Sequence, residues 1–218
     1  IVADIAEAAA IARAEELRAA GHDAGAVALD LADEASVVAA CARIVAEHGT
    51  PWVLVNNAGL QDRELLLEGT SAHWERLHAV NARGPFLMIR EIAGAMVREG
   101  KGGRIVNCAS NSLVGEFVAG LGAYMASKGA IASLTTASAF ELGGHAITVN
   151  TVYPGGVGTP GAFNASGPAP DGPALHRQRP LGFCEPCDIA AAVLYFASPA
   201  ARYVTSQTLA VDAGFSVG

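Results

Sequence analysis

Short apolar runs alternate with longer alanine-rich stretches along the whole chain. The apolar runs are dominated by valine, isoleucine and alanine, and polar and apolar residues do not alternate within them. Runs of this kind form strands that are buried on both faces. They predict strands at Ile1–Asp4, Ala26–Asp30, Trp52–Asn56, Arg104–Ala109, Ile147–Tyr153 and Thr208–Asp212.

The stretches between these strands are long enough for helices. The predicted helices are Ile5–Ala20, Asp33–His48, Ser71–Glu99, Ala123–Gly143 and Pro186–Ala197, and the Gly-, Pro- and Ala-rich Pro160–Pro180 is predicted to be a long loop. Strands that alternate with helices are joined by right-handed crossovers and form a parallel sheet. The pattern predicts an α/β fold, a doubly wound parallel sheet, in one domain over residues 1–218.

Polar residues or glycines follow almost every predicted strand. They are Asp4, Asp30, Asn56–Gly59, Ser110 and Pro154-Gly155. In an open α/β sheet the ligand binds at the carboxyl ends of the strands, where the connecting loops converge. Each residue alone could be a turn former, but five such segments at one edge favour a ligand site.

Composition and charge exclude several classes of partner. The net charge is −7, which argues against nucleic acid or an anionic membrane as the main partner. No apolar stretch reaches the roughly 18 residues that a membrane helix needs. Four cysteines are too few for a disulfide scaffold, so a cytoplasmic protein is expected. Cys184 and Cys187 have C-x-x-C spacing, but no second pair lies nearby, so no metal site is predicted.

The strongest local signal for chemistry is the sequence Tyr124-Met-Ala-Ser-Lys128. A spacing of four residues places the two side chains on the same face of a helix. A phenol ordinarily has a pKa near 10, and a neighbouring ammonium lowers that pKa, which would make Tyr124 a usable acid/base at neutral pH. Alternatively, Tyr124 packs in the core and Lys128 is a solvated charge.

Several motifs in order along the chain resemble the short-chain dehydrogenase/reductase family. They are Asn56-Asn57-Ala58-Gly59 after a buried strand, Arg104–Ser110, Tyr124-x-x-x-Lys128, and Pro154-Gly155 with Thr159 four residues after that glycine. The resemblance covers essentially the whole chain. It implies a Rossmann-like NAD(P)-dependent oxidoreductase that interconverts a secondary alcohol and a ketone. It also implies a homotetramer, with the helices Ser71–Glu99 and Ala123–Gly143 at one interface.

The resemblance also implies catalytic roles for four residues. Tyr124 matches the acid/base of the family, and Lys128 matches the lysine that lowers the tyrosine pKa and binds the nicotinamide ribose. Both Tyr124 and Lys128 are expected to contact the cofactor. Ser110 matches the serine that orients the substrate oxygen, and Asn81 matches the asparagine of a proton relay. Ser110 and Tyr124 are 14 residues apart, one more than is usual, so a one-residue insertion is expected within 111–122. Ser112 is the alternative to Ser110, and either serine could instead only cap a turn.

The expected cofactor is NAD rather than NADP. Asp4 follows the strand that matches the second strand of the family, where a carboxylate binds both adenosine ribose hydroxyls and repels the 2′-phosphate of NADP. Alternatively, Asp4 is the N-cap of the next helix. The resemblance places Asp30 and Leu31 beside the adenine, Asn57, Ala58 and Gly59 along the adenosine, and Pro154, Gly155, Val157 and Thr159 near the nicotinamide.

One part of the family pattern is missing from the sequence. The first strand of the family and its turn Gly-x-x-x-Gly-x-Gly should precede Ile1, and we expect about 35 further residues there in a functional protein. The alternative is a non-catalytic fragment, or a binding or structural variant of the same fold that does not hold the cofactor. The resemblance makes 160–183 a lid over a small-molecule substrate, whose identity stays open.

Overall fold

The computed structural model of the chain describes residues 1–115 and 117–217. The strands in these residues are β1 (Val2–Asp4), β2 (Ala26–Ala28), β3 (Val53–Asn56), β4 (Gly103–Cys108), β5 (Ile147–Pro154) and β6 (Thr208–Val211). The helices are α1 (Glu7–Ala19), α2 (Glu34–His48), α3 (Ser71–His78), α4 (Gly84–Glu99), α5 (Gly122–Leu142), α6 (Pro160–Phe163) and α7 (Pro186–Ala197). The predicted strands are all found within two residues of their expected ends. The short helix α6 lies in the segment that was predicted to be a loop.

All strand pairs are parallel, as the doubly wound prediction requires, and the strands form two sheets. β1 pairs with β2, and β3, β4, β5 and β6 pair in that order. In the described part of the chain, β1 and β3 each have one edge without a pairing strand. Val55 on β3 is accordingly 41% exposed, although its sequence neighbourhood predicts a buried strand. The two sheets share one apolar core, which includes Val27 of β2 and Leu54 of β3.

Helices cover both faces of the larger sheet, as the doubly wound prediction requires. Ile105 and Val149 belong to the core under α2, α4 and α5. Val106, next to Ile105 on β4, and Val152, three residues after Val149 on β5, belong to a second core under α7. Because successive side chains of a strand point to opposite faces, each strand needs apolar residues at consecutive positions. This explains the runs without alternation.

The predicted helix Ser71–Glu99 is interrupted by a π-helical turn at Ala79–Arg83, which separates α3 from α4. The Gly84 N–H donates to the carbonyl of Ala79, five residues earlier. The next residue, Pro85, has no N–H to donate, so the regular pattern restarts only after it. A π-turn inserts one residue into the helical ladder and redirects the side chains within it. Asn81 lies in this turn and is completely buried.

Candidate active site

Tyr124 and Lys128 lie one turn apart on the buried face of α5, at the carboxyl edge of the larger sheet. They are 8% and 5% exposed, and Lys128 Nζ lies 5.9 Å from the centre of the Tyr124 ring. Lys128 Nζ donates a hydrogen bond of 2.9 Å to the carbonyl oxygen of Cys108, the last residue of β4. The two side chains, four residues apart in the sequence, therefore form a buried pair, and Lys128 is not a solvated charge.

Burial changes the acidity of the lysine. Removal of the ammonium from water lowers the pKa of Lys128 from 10.5 to about 8. The neighbouring Cys108 thiol is also buried, and its pKa is raised by desolvation. Since a pKa of about 8 is above neutrality, Lys128 is mostly protonated at pH 7.

Asn81 joins the segment after β3 to α5 through its side-chain amide. Its Nδ2 donates to the carbonyl oxygen of Leu60 at 2.8 Å and to Ser127 Oγ at 3.0 Å. Its Oδ1 accepts from the N–H of Leu60 at 2.8 Å. Ser127 Oγ in turn donates to the carbonyl oxygen of Tyr124 at 2.7 Å. Asn81 is thus held rigidly against the residues that flank the Tyr124–Lys128 pair.

The absence of a side chain at Gly59 lets this arrangement form. A Cβ built on Gly59 would lie 3.1 Å from Asn81 Oδ1 and 3.1 Å from Lys128 Nζ. Both distances are shorter than ordinary contacts, so a larger residue would push the amide or the ammonium away. Asn57, Ala58 and Gly59 are exposed at this edge. An ammonium beside an exposed backbone segment can donate hydrogen bonds to the hydroxyls of a bound molecule.

Ser110 lies just after β4 and is 7% exposed. Its Oγ accepts the N–H of Ser112 at 3.1 Å, so it does cap the 3₁₀ turn at Asn111–Leu113. A hydroxyl has one donor and two acceptor positions, and this cap uses only an acceptor. The alternative candidate Ser112 is more deeply buried, and among the described residues its Oγ has no hydrogen-bond partner. Residue 116, within the predicted insertion, lies outside the described residues.

The residues expected to bind the adenosine end of the cofactor lie at both sheets. Asn57, Ala58 and Gly59 follow β3 of the larger sheet, and the others lie at the smaller sheet. Asp4 ends β1, and its Oδ1 accepts the N–H of Ala6 at 2.8 Å. The N-cap of α1 is Ala6, so the alternative reading of Asp4 as the N-cap is wrong. Asp30 Oδ1 accepts the N–H of Ala32 at 2.8 Å, which makes a turn after β2. Leu31 packs closely against Gly84, where an added Cβ would lie only 2.7 Å from Leu31 Cβ.

The residues expected near the nicotinamide follow β5. Pro154 is the last residue of β5, and Gly155 lies so close to Asp212 that an added Cβ would approach it to 2.7 Å. Val157 forms an isolated bridge with Cys184 and packs against the core under α7. Thr159 Oγ1 caps α6. The structure thus brings Asn81, Tyr124 and Lys128 together, whereas Val157 is directed to a separate core.

A cluster that the sequence did not indicate ties the 160–183 segment to the edge of the site. Asp62 Oδ1 accepts the N–H and the Oγ–H of Ser166, both at 2.7 Å, and Asp62 Oδ2 accepts from Arg76 at 2.6 Å. We call Asp62, Arg76 and Ser166 the Asp62 cluster. Although partial burial opposes ionisation, the hydrogen bonds from Ser166 and Arg76 lower the pKa of Asp62 to about 2. The carboxylate is therefore charged throughout the neutral range.

Metal-binding clusters and membrane-spanning helices are absent from residues 1–115 and 117–217. No group of histidine, cysteine and acidic side chains there could hold a metal ion. Of the four cysteines, Cys41, Cys108 and Cys184 are buried and Cys187 is exposed. No helix in the same residues has both the length and the apolar character needed to cross a membrane.

The chain is similar to known proteins over almost its whole length. Residues 1–216 match a family model described as enoyl-(acyl carrier protein) reductase. A sorbitol dehydrogenase and a galactitol 2-dehydrogenase (L-tagatose-forming), both from Cereibacter sphaeroides, are 35% and 41% identical. These alignments cover 98% and 97% of this chain and 86% and 83% of the relatives.

A solved structure has the same fold. It is the crystal structure of a gluconate 5-dehydrogenase from Burkholderia cenocepacia J2315 in complex with NADP and tartrate. The two sequences are 28% identical, and the TM-score is 0.88. The match covers 100% of this chain and 85% of that one. The chain therefore belongs to the short-chain dehydrogenase/reductase family, whose members among these relatives are oxidoreductases that act on CH–OH groups.

Proposed function

We propose that the protein oxidises a secondary alcohol of the sugar-alcohol class to a ketone, with NAD as the hydride acceptor and Tyr124 as the acid/base. The observation that carries the proposal is the buried Tyr124–Lys128 pair, held at the carboxyl edge of the sheet by Cys108 and beside Asn81. The substrate class rests on the sorbitol and galactitol dehydrogenases to which the chain is similar.

The side chains have complementary tasks in this proposal. Ser110 has a hydroxyl proton available to hydrogen-bond the substrate oxygen, because its cap uses only an acceptor position. Tyr124 takes the proton of the alcohol as the C–O double bond forms. The charge of Lys128 favours the phenolate form, and its low pKa suits the exchange of that proton near neutrality. When bound, the nicotinamide dinucleotide supplies the site for the hydride.

The residues at the carboxyl edge of the strands fit both ribose groups of a nicotinamide dinucleotide. The Lys128 ammonium beside Gly59 suits the nicotinamide ribose hydroxyls, and the exposed Asp4 carboxylate suits the adenosine ribose hydroxyls. The same carboxylate would repel a 2′-phosphate. The gluconate 5-dehydrogenase structure holds NADP, so within this fold we expect the preference to depend on Asp4 itself.

Asp4→Asn is expected to favour NADP over NAD by about tenfold relative to the wild type, the equivalent of roughly 1.4 kcal/mol. The substitution keeps the shape of the side chain and removes the charge that would face the phosphate. The measurement is kcat/KM with each cofactor at saturating substrate. Asp23→Asn is the control, because this exposed carboxylate precedes β2 at the opposite edge of the sheet. An unchanged cofactor ratio in Asp4→Asn would contradict the assignment.

The proposed activity is tested by following NADH or NADPH formation with polyhydroxy and monohydroxy alcohols. Galactitol, sorbitol and gluconate represent the first group, and cyclohexanol and 2-butanol the second. We expect turnover with NAD and at least one polyol, together with formation of the matching ketose. Absence of turnover with every alcohol, from a protein that binds NADH, would reject the proposal.

We also propose that 160–183 is a lid over the substrate and that the Asp62 cluster keeps it closed. Asp62→Ala removes the acceptor of three hydrogen bonds and is expected to raise KM about tenfold, with a much smaller effect on kcat. Asp171→Ala removes an exposed carboxylate of the same segment and is the control. Equal KM values for both variants would show that the cluster does not govern substrate retention.

We propose a homotetramer, in which α4 and α5 lie at an interface. Support comes from the exposed faces of these helices, where Phe86 is 46% and Phe140 is 88% exposed. Large apolar side chains at a surface favour association. Light scattering is expected to give four times the chain mass of 22.1 kDa. A monomer at the same concentration would contradict this.

A second candidate is a binding or structural variant that does not hold the nucleotide. The observation that favours it is the division of the sheet, with unpaired edges on β1 and β3 among the described residues. Titration of NADH fluorescence separates the two candidates. Saturable binding is expected from the oxidoreductase and would exclude the variant.

A further inference from the structure

A network of buried polar side chains, linked by hydrogen bonds, crosses the sheet beneath the site and ends on α5. Asn56 Nδ2 on β3 donates to Asn107 Oδ1 on β4 at 2.8 Å. Asn107 Nδ2 donates to Thr135 Oγ1 on α5 at 2.8 Å, and Thr151 Oγ1 on β5 donates to the same atom at 2.7 Å. None of these four residues is more than 8% exposed.

Thr135 is the centre of this network because the donor position and both acceptor positions of its hydroxyl are occupied. Its one proton goes to the carbonyl oxygen of Ile131 at 2.9 Å, and both acceptor positions are filled by Asn107 and Thr151. Such a hydroxyl can neither rotate nor exchange partners without leaving a buried polar group unpaired, which is unfavourable. The position of Thr135 relative to β4 and β5 is therefore well defined.

Helix α5 is attached to β4 at two points. Thr135 is bonded to Asn107, and Lys128, seven residues earlier, is bonded to the carbonyl of the adjacent Cys108. Seven residues are about two helical turns, or roughly 10 Å, so both side chains lie on the same face of α5. A rigid helix held at one point can still slide or rotate, whereas a second attachment fixes its axial position.

We infer that Thr135 is a positioning residue, which fixes α5 along the sheet and thereby holds Lys128 at the Cys108 carbonyl and Tyr124 beside it. The effect of Thr135 on the position of α5 is inferred from the hydrogen bonds alone. The consequence for turnover rests on the proposed function.

The test uses the fact that the chain has only two lysines, Lys101 and Lys128. With lysine labelled with ¹³C at Cε, each ammonium gives its own NMR titration in the full chain. Lys101 is exposed and serves as the internal reference. The variants are Thr135→Val, which keeps the shape and removes the hydroxyl, and Thr135→Ser, which keeps the hydroxyl. Thr151→Val is the control, because it breaks a bond to Thr135 and leaves the attachment to β4 intact.

Thr135→Val is expected to raise the pKa of Lys128 from about 8 towards its ordinary value, because a displaced α5 lets water reach Nζ. Thr135→Ser and Thr151→Val are expected to leave that pKa unchanged. In activity, Thr135→Val should lower kcat about ten- to a hundredfold with little change in KM, and serine should restore it.

An unchanged Lys128 titration in Thr135→Val would overturn the inference, even if the variant is less stable, because Thr135 would then contribute only to folding. If Thr135→Val does not fold, Thr135→Cys replaces it, since a thiol hydrogen-bonds only weakly. A smaller shift in the same direction is then expected, and no shift would overturn the inference. If the wild type oxidises no alcohol but the titrations follow this pattern, the proposed function fails and the positioning role stands.

Discussion

Tyr124→Phe is expected to lower kcat for alcohol oxidation by about 10²–10⁴-fold. The substitution removes only the phenolic oxygen, and the ring keeps its place among Leu77, Leu121 and the other apolar neighbours of that core. The substitution therefore removes the group that we propose takes the alcohol proton. NADH should still bind to this variant, since Lys128 and Asp4 are unchanged.

The measurement is kcat with NAD and the best polyol, with NADH affinity determined on the same preparation. Tyr203→Phe makes the same chemical change at a side chain that is 88% exposed, and it should behave like the wild type. A Tyr124→Phe protein that keeps wild-type kcat would assign the acid/base role to another group.

Lys128→Met is expected to lower kcat by at least about a hundredfold at pH 7. Methionine fills a similar volume, but it neither lowers the pKa of a neighbouring phenol nor donates to the Cys108 carbonyl. The loss should be partly recovered at high pH, where a phenol ionises without help. Steady-state rates from pH 6 to pH 10 measure both effects, with Lys101→Met as the control.

The same substitution changes how stability depends on pH. The pKa of Lys128 is about 8 in the folded protein and near 10.5 in the unfolded chain, so between these values the unfolded chain binds more protons. Stability therefore rises with pH in this window. The buried Cys41 and Cys108 thiols, whose pKa values are raised, act in the opposite direction above about pH 9.

Urea unfolding between pH 7.5 and 9 is the corresponding measurement. The wild type and Lys101→Met should become more stable over this interval, and Lys128→Met should lack the increase. A wild type with no increase would mean that Lys128 is hydrated in the folded protein.

Much of the fold could be predicted because the sheet is covered on both faces. Ile105 and Val106 are consecutive and both completely buried, so β4 is recognisable from an apolar run alone. The Tyr124–Lys128 pair could be predicted because both residues lie on one helix, where spacing determines which side chains meet. The composition of the apolar runs does not indicate which strands pair, so the strand order within the two sheets comes from the structure.

The features that the sequence did not indicate depend on contacts between distant residues. Asp62 and Ser166 are 104 residues apart, and neither lies in a recognisable motif. Thr135 is one of several small polar residues in α5, and only the structure distinguishes it from its exposed neighbour Thr136. Gly84-Pro85 is a weak indication of the π-turn in the sequence, because a proline inside a predicted helix marks an interruption.

The most direct test of the central claim is a single turnover. The protein is saturated with NAD and mixed with the best polyol, and absorbance of NADH is followed in the stopped flow. The proposal predicts a rapid rise that corresponds to one NADH and one ketose per site, and its near absence in Tyr124→Phe. No absorbance change from a wild-type protein that demonstrably binds NAD would contradict the proposed oxidoreductase function.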